Sequence, residues 1–297
     1  MEYEAFRTNI VEELRNFYGA DATVEVTTSA KNNGIKLDGI IIRLGEAIVS
    51  PIIYLQQYYE EFMENENISI DEIVGRIVEL RERHELQDVD GVIGKITDWA
   101  YVREHIYPMI VSAEDNEEML RALVSKPFLD LAVIMYIRLD DILQIGGDAT
   151  VKVTKEILSS LKVSEAEAFD VAFSNMKKDD YAIQDIYMAI SGMIDEENIM
   201  DEPTGKMFVL TNKRKYLGAV GILDRDLLHS IGNDLFILPS SIHETILVPA
   251  DENMDQKFLD SMVTEVNATQ LGKEEVLSGH SYYYDFNMNE VRSKKCA

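Results

Sequence analysis

Apolar residues near the start recur in steps of three and four. Tyr3, Phe6, Ile10, Leu14 and Phe17 fall on one face of a helix that Gly19 ends. ATVEVTTSAKNNGIKLDGIIIRL then alternates with a period of two in its first arm. Asn33-Gly34 supplies a positive-φ turn, so a β-hairpin with one wet face is expected. Helical spacing returns in SPIIYLQQYYEEFMEN, which Ser50-Pro51 would start, and in SIDEIVGRIVELRERHE. In the second, Ser69 and Glu72 form a capping box and Ile73, Ile77 and Leu80 a buried stripe. KITDWAYVREHIYPMIVS and NEEMLRALVS read as two further helices.

The pattern changes at Lys126-Pro127. This is taken as the boundary between a helix-rich N-terminal region with a β-hairpin (1–125) and a C-terminal α+β domain (126–297). FLDLAVIMYIRL is almost continuously apolar and rich in strand formers, the signature of a central strand. ATVKVTKEILSSL reads as a strand running into a helix. VSEAEAFDVAFSNM opens on a second capping box, Ser164 and Glu167, and DYAIQDIYMAISGMI reads as an amphipathic helix.

The last third has the clearest order. KMFVLTN is a strand, GAVGILDRDLLHSIG a helix closed by Gly232, and DLFILP and ETILVP two short strands each closed by proline. DQKFLDSMVTEVNATQ is a helix with Phe258, Leu259, Met262, Val263 and Val266 inward, and HSYYYDFNMNEV closes as an edge strand. The order β-α-β-β-α-β implies a mainly antiparallel sheet flanked by helices, so the fold class is α+β.

Charge narrows the function. Lys and Arg number 28 against 54 Asp and Glu, a formal net charge of -26. A groove that tracks phosphates needs a basic footprint, so direct nucleic-acid binding is disfavoured. The same charge repels anionic membranes and favours solubility. An acidic face that mimics nucleic acid and occupies a DNA-binding protein is one alternative. No run of about 18 apolar residues is present, so no membrane span is expected. The N-terminus lacks the basic start of a signal peptide, and a cytoplasmic location is expected. The single cysteine, Cys296, leaves no intramolecular disulfide and no cysteine-based metal cluster.

The chemistry concentrates in LPSSIHETILVP, residues 238–249, where Ser240, Ser241, His243 and Glu244 lie between two apolar runs. Serine and proline suit a turn, because a serine hydroxyl bonds nearby backbone amides. The same residue types could form a ligand contact. They could also form a nucleophile, base and orienter, although the Gly-x-Ser-x-Gly elbow is absent. A helical zinc motif would need a second histidine at position 247, which is Leu247. His229, His243 and His280 with a carboxylate could assemble a zinc site only across distant segments. TNKRK, with Asn212 and Lys213, is a basic spot before a glycine-led helix, but it is not a phosphate loop. No cofactor and no metal are expected.

FLDLAVIMYIRL, SEAEAFDVAFSNM, VLTNKRKYLGAVGIL and LPSSIHETILVP, in that order, resemble the DUF5688 family of Clostridia. The last two are also similar to the YtpQ-like DUF1444 family. Neither resemblance implies an activity or a set of catalytic residues. The expectation is therefore a non-enzymatic protein that binds a macromolecular partner or a small ligand. Asn212, Lys213, Ser240, Ser241, His243 and Glu244 form its working surface, because loops at the ends of a rigid sheet commonly carry function. A hydrolase using Ser240 or Ser241 with His243 is the alternative from a different class.

Overall fold

The structure is a computed structural model that describes residues 1–45, 52–65, 67–84, 89–139, 149–186, 207–239, 241–251 and 254–293. Ser50, Pro51, Ser240 and Cys296 therefore lie outside the described residues. The chain divides into two compact units. The first holds Met1–Lys31 and Ile35–Gly94; the second holds Asn32–Gly34, Lys95–Leu139 and Asp148–Ala297.

In the first unit, helix α1 (Tyr3–Tyr18) buries Phe6, Ile10, Val11 and Leu14. Phe17, expected on that face, is exposed and packs edge-on against Tyr18. Strands β1 (Ala22–Ala30) and β2 (Lys36–Leu44) pair antiparallel from Ala22↔Leu44 to Ala30↔Lys36, as the alternation requires. Asn33 and Gly34 turn the chain at φ 57° and 66°. Ile52–Tyr54 forms strand β3 on β2, so the next helix, α2 (Gln56–Glu64), begins later than its serine-proline signal implied. Two isoleucines and a tyrosine suit a pleated surface, and the free edge of β2 satisfies their backbone. Helix α3 (Ile70–His84) starts with Ser69 Oγ accepting from Glu72 N–H at 3.2 Å. It buries Ile73, Val74, Ile77 and Val78 against α1 residues, while Leu80 is only partly buried.

Helix α4 (Val89–Ile96) closes this stretch of the first unit, which ends at Gly94, and the second unit continues with helix α5 (Trp99–His105), capped by Asp98, which accepts from Ala100 N–H at 2.9 Å. The expected long helix stops there, because Ile106–Ser112 is strand β4. Pro108 lacks an N–H and cannot continue a helix, but it is tolerated on an edge strand. Helix α6 (Glu117–Ala122) leads to β5 (Ser125–Phe128), β6 (Leu131–Arg138) and β7 (Thr150–Lys152). All of β6 is buried, as its apolar run implied. It pairs with β4 on one side, and with β5 then β7 end to end on the other. Lys126 and Pro127 lie within β5.

Helices α7 (Lys155–Leu161) and α8 (Glu165–Met176) follow, and Ser164 Oγ accepts from Glu167 N–H at 3.2 Å. DYAIQD is not helical: Tyr181–Asp185 forms strand β8, which pairs with β9 (Phe208–Asn212). The ladder to β9 outweighs the weak helical period of those few residues; residues 187–206 lie outside the described set. Strands β10 (Leu235–Leu238), β11 (Thr245–Pro249), β12 (Tyr282–Asp285) and β13 (Glu290–Arg292) complete a second sheet. Its order is β13-β12-β10-β11-β9-β8, antiparallel throughout. The tyrosine-rich strand is therefore internal and β13 is the edge. The segment expected as one helix after β9 is split at Asp224 into a 3-10 stretch, Gly218–Leu223, and a short α-helix, Arg225–His229. The helix Gln256–Thr269 lays Leu259 and Val263 on Phe236, Leu238, Val248 and Tyr283. Leu259 and Val263, an i, i+4 pair, are its buried residues, whereas Phe258 and Met262, expected inward, are exposed and Val266 is half-buried. The fold is α+β with antiparallel sheets.

Candidate functional site

The end of β9 and the loop from β10 to β11 meet in one corner of the second unit. Asn212, the last residue of β9, is 2% exposed. Its Nδ2 donates to Tyr216 O at 2.9 Å and its Oδ1 accepts from Tyr216 N–H at 3.2 Å. The side chain thus closes the TNKRK turn on itself, in the manner of an Asx turn. Lys215 and Leu217 take positive φ to complete it. Lys213 points to solvent, with its ammonium 4.0 Å from the exposed Asp180 carboxylate.

Across the corner, Ser241 is buried and its Oγ accepts from the amides of His243 at 3.0 Å and Glu244 at 3.3 Å. His243 O accepts from Thr211 Oγ1 and from Gly218 N–H, both at 2.9 Å. His243 Nδ1 accepts from Leu217 N–H at 3.1 Å, so that nitrogen carries no proton in this arrangement. Its Nε2 lies 3.8 Å from Glu275 Oε1. Gly218 makes the approach possible. A Cβ there would meet Thr211 Oγ1 at 2.5 Å, His243 O at 2.7 Å and Asn212 N at 2.8 Å.

Chemically this corner is a main-chain clamp. A serine hydrolase needs an imidazole nitrogen facing the hydroxyl. Here the hydroxyl accepts from main-chain amides, and the ring nitrogens face Leu217 N–H and Glu275. The structure brings together Asn212, Ser241, His243 and Glu244 as neighbours in one frame and leaves Lys213 outside it. Among the described residues, no group of three or more His, Cys, Asp or Glu side chains is placed to hold a metal ion.

Behind the corner lies a framework that sequence reasoning missed. Arg138, at the end of β6, is 8% exposed and grips Asp179 with two guanidinium nitrogens, one at 2.9 Å. Asn212 Nδ2 reaches the same carboxylate at 3.5 Å. The guanidinium also stacks on Tyr107, 3.6 Å from the ring centroid, and donates to Tyr136 Oη at 3.2 Å. Burial opposes the Arg138 charge and is the largest single influence, but the Asp179 hydrogen bonds, the Tyr136 hydroxyl and the Asp179 charge together outweigh it and raise the pKa. Burial likewise pushes the Tyr136 hydroxyl up to about 12. Arg138 Nε remains buried without a partner. An arginine ending an apolar strand was the only signal available, and it reads equally well as a solvated strand end.

A groove of about 410 Å³ opens beside this framework, lined by Arg103 and Glu104 of α5, Tyr107 of β4, Ser174 and Asn175 of α8, and Lys178. A second missed cluster joins Asp130 to Tyr282 Oη at 2.9 Å and to His280 Nε2 at 2.8 Å. Neither cluster follows from local spacing, because the partners lie far apart in sequence.

Among the described residues, no helix is long and apolar enough to cross a membrane. No curated protein and no solved structure matches the chain. A family model described as a family of unknown function, DUF5688, matches residues 3–286, and the chain belongs to that family.

Proposed function

We propose that this chain is a non-enzymatic binding protein of the cytoplasm, taking a small ligand or a macromolecular partner. In this reading the Asn212–Gly218 and Ser241–Glu244 segments hold the frame, and recognition falls on the surface beside it. The observation that carries the reading is the engagement of the polar corner. Asn212, Ser241 and His243 each bond main-chain groups, which fixes the loops rather than arming a nucleophile. A pre-organised polar frame beside an open groove is the architecture of a binding site. The net charge of -26 favours a soluble setting.

The test is a thermal-shift screen of the full chain against metabolites, with each hit recovered afterwards and weighed by mass spectrometry. A ligand that raises Tm and returns chemically unchanged supports the proposal. A compound converted by the wild type but not by Ser241→Ala or His243→Gln overturns it in favour of catalysis.

A further inference from the structure

We propose that the groove between α5, β4 and α8 binds the phosphate of a small phosphomonoester, with Arg103 and Lys178 as its cationic ligands. The inference rests on the binding reading and deepens it, giving the ligand a place and a charge.

The first observation is the supply of donors. Arg103 and Lys178 both line the groove, together with Tyr107 and Ser174, two residues whose side chains carry hydroxyls. Acidic residues outnumber basic ones 54 to 28, yet no ion pair engages the Arg103 guanidinium among the described residues. A free guanidinium in so acidic a chain offers a planar fork of donors suited to phosphate oxygens. Lys178, Tyr107 and Ser174 add an ammonium and two hydroxyls to the same lining, a donor supply that suits the three terminal oxygens of a phosphomonoester better than the two of a carboxylate.

The second observation is that the two cations are set on a common base. Asn175 is 7% exposed, and its Nδ2 donates to the carbonyls of Arg103 at 2.9 Å and Ile106 at 3.0 Å. Its Oδ1 accepts from Lys178 Nζ at 3.5 Å, a long contact to a neutral amide that an anion can displace. One buried amide therefore ties the end of α5 to α8 and holds the lysine in reach. In the same lining, the Tyr107 ring is fixed by the stacked Arg138, and the bidentate bond to Asp179 fixes Arg138. The positions of the wall are set before any ligand arrives, which lowers the ordering cost of binding.

The third observation is size and sign. A groove of about 410 Å³ accommodates a sugar phosphate. Glu104 is the carboxylate in the lining, and it opposes an anion. Its neutralisation must strengthen binding if the ligand is anionic, and would leave a neutral ligand unaffected.

The experiment is isothermal titration of the full-length protein with ribose 5-phosphate, inorganic phosphate and ribose at one fixed ionic strength. Ribose 5-phosphate and inorganic phosphate bind and ribose does not. The double variant Arg103→Gln, Lys178→Gln loses at least about tenfold in affinity, Glu104→Gln gains, and Lys213→Gln, outside the groove, matches the wild type. All four side chains are exposed, so each variant keeps the wild-type melting curve. Absence of binding by both phosphates, or equal affinity in the double variant, overturns the inference. The metabolite screen judges the broader binding reading separately, since a neutral hit there sinks this inference and spares that reading.

Discussion

At Ser241–His243 and again at Ser278–His280 the chain makes the same small turn. In each, the serine Oγ accepts the amide of the histidine two residues on, at 3.0 Å and 3.3 Å. The two rings then do opposite things. His243 Nδ1 accepts from Leu217 N–H, which requires a bare nitrogen. His280 Nδ1 lies 2.9 Å from Ser281 O, which only accepts, so that nitrogen carries a proton; Nε2 lies 2.8 Å from Asp130 Oδ2. The first ring completes a main-chain clamp as a neutral acceptor. The second bridges to a carboxylate as a double donor. A Ser-x-His sequence sets the local turn, and the distant partner sets the ring's chemistry.

The comparison breaks most severely at Gly218, which lets the first corner close. Gly218→Ala places a Cβ 2.7 Å from His243 O and 2.8 Å from Asn212 N, both backbone atoms that cannot rotate away. Overpacking of this kind costs about 2–3 kcal/mol. Urea unfolding of the variant reads it as a lowered midpoint. A loss below about 0.5 kcal/mol, the ordinary range for a surface change, would mean the corner is soft.

Removing the acceptor ring comes next. Leu217 is 4% exposed, and His243→Leu leaves its amide without the Nδ1 partner, at a cost of about 1–3 kcal/mol. His243→Asn places an acceptor near the Nδ1 position and recovers part of that loss in the same measurement. Equal losses in the two variants would show that ring packing against Tyr216, not the hydrogen bond, holds the corner.

The serines sharpen the comparison from the other side. Ser241→Ala and Ser278→Ala each remove a hydroxyl that accepts a local amide, so each loses about 1 kcal/mol. The two should match, since the turn is shared. A much larger loss at Ser241 would show that its second acceptance, from Glu244 N–H, dominates.

The same contrast explains what was legible in the sequence. Features with a short period came through: the hairpin at Asn33-Gly34, the capping serines Ser69 and Ser164, and the buried β6. Ile106–Ser112 and Tyr181–Asp185 did not, because each sits beside a helical pattern and becomes a strand only through partners β6 and β9. At the corner, the grouping of Asn212, Ser241 and His243 was legible as a neighbourhood, since Asn212 ends β9 and the other two lie in the loop that leads into its partner β11. Their roles were not readable. Leu217 N–H and Glu275 have no motif, and neither does the Arg138–Asp179 pair, whose members lie on separate elements.

The smallest effect is the most diagnostic, because it depends on pH. Burial alone would lower the His280 pKa, but the Ser281 carbonyl, the Asp130 hydrogen bond and the charges of Asp130 and Asp260 outweigh it, and the net shift is upward. Tyr282 also donates to Asp130, and Asp260 accepts from both the amide and the hydroxyl of Ser281, so among the described residues the ring faces carboxylates and no competing cation. A folded-state pKa above the unfolded value of about 6.5 adds stability that is complete below that value. The gain fades as pH rises through the folded-state value. Both partners are over a third exposed, at 37% and 49%, so solvent screening holds the gain to about 1 kcal/mol at most. Urea unfolding at pH 5.5 and 8.5 should therefore show His280→Gln trailing the wild type more at the lower pH. Asp130→Asn should reproduce that dependence, because it removes the charge that the imidazolium faces. A gap that stays constant or widens toward pH 8.5 would mean that folding does not raise the His280 pKa and that the Asp130 contact does not hold an imidazolium.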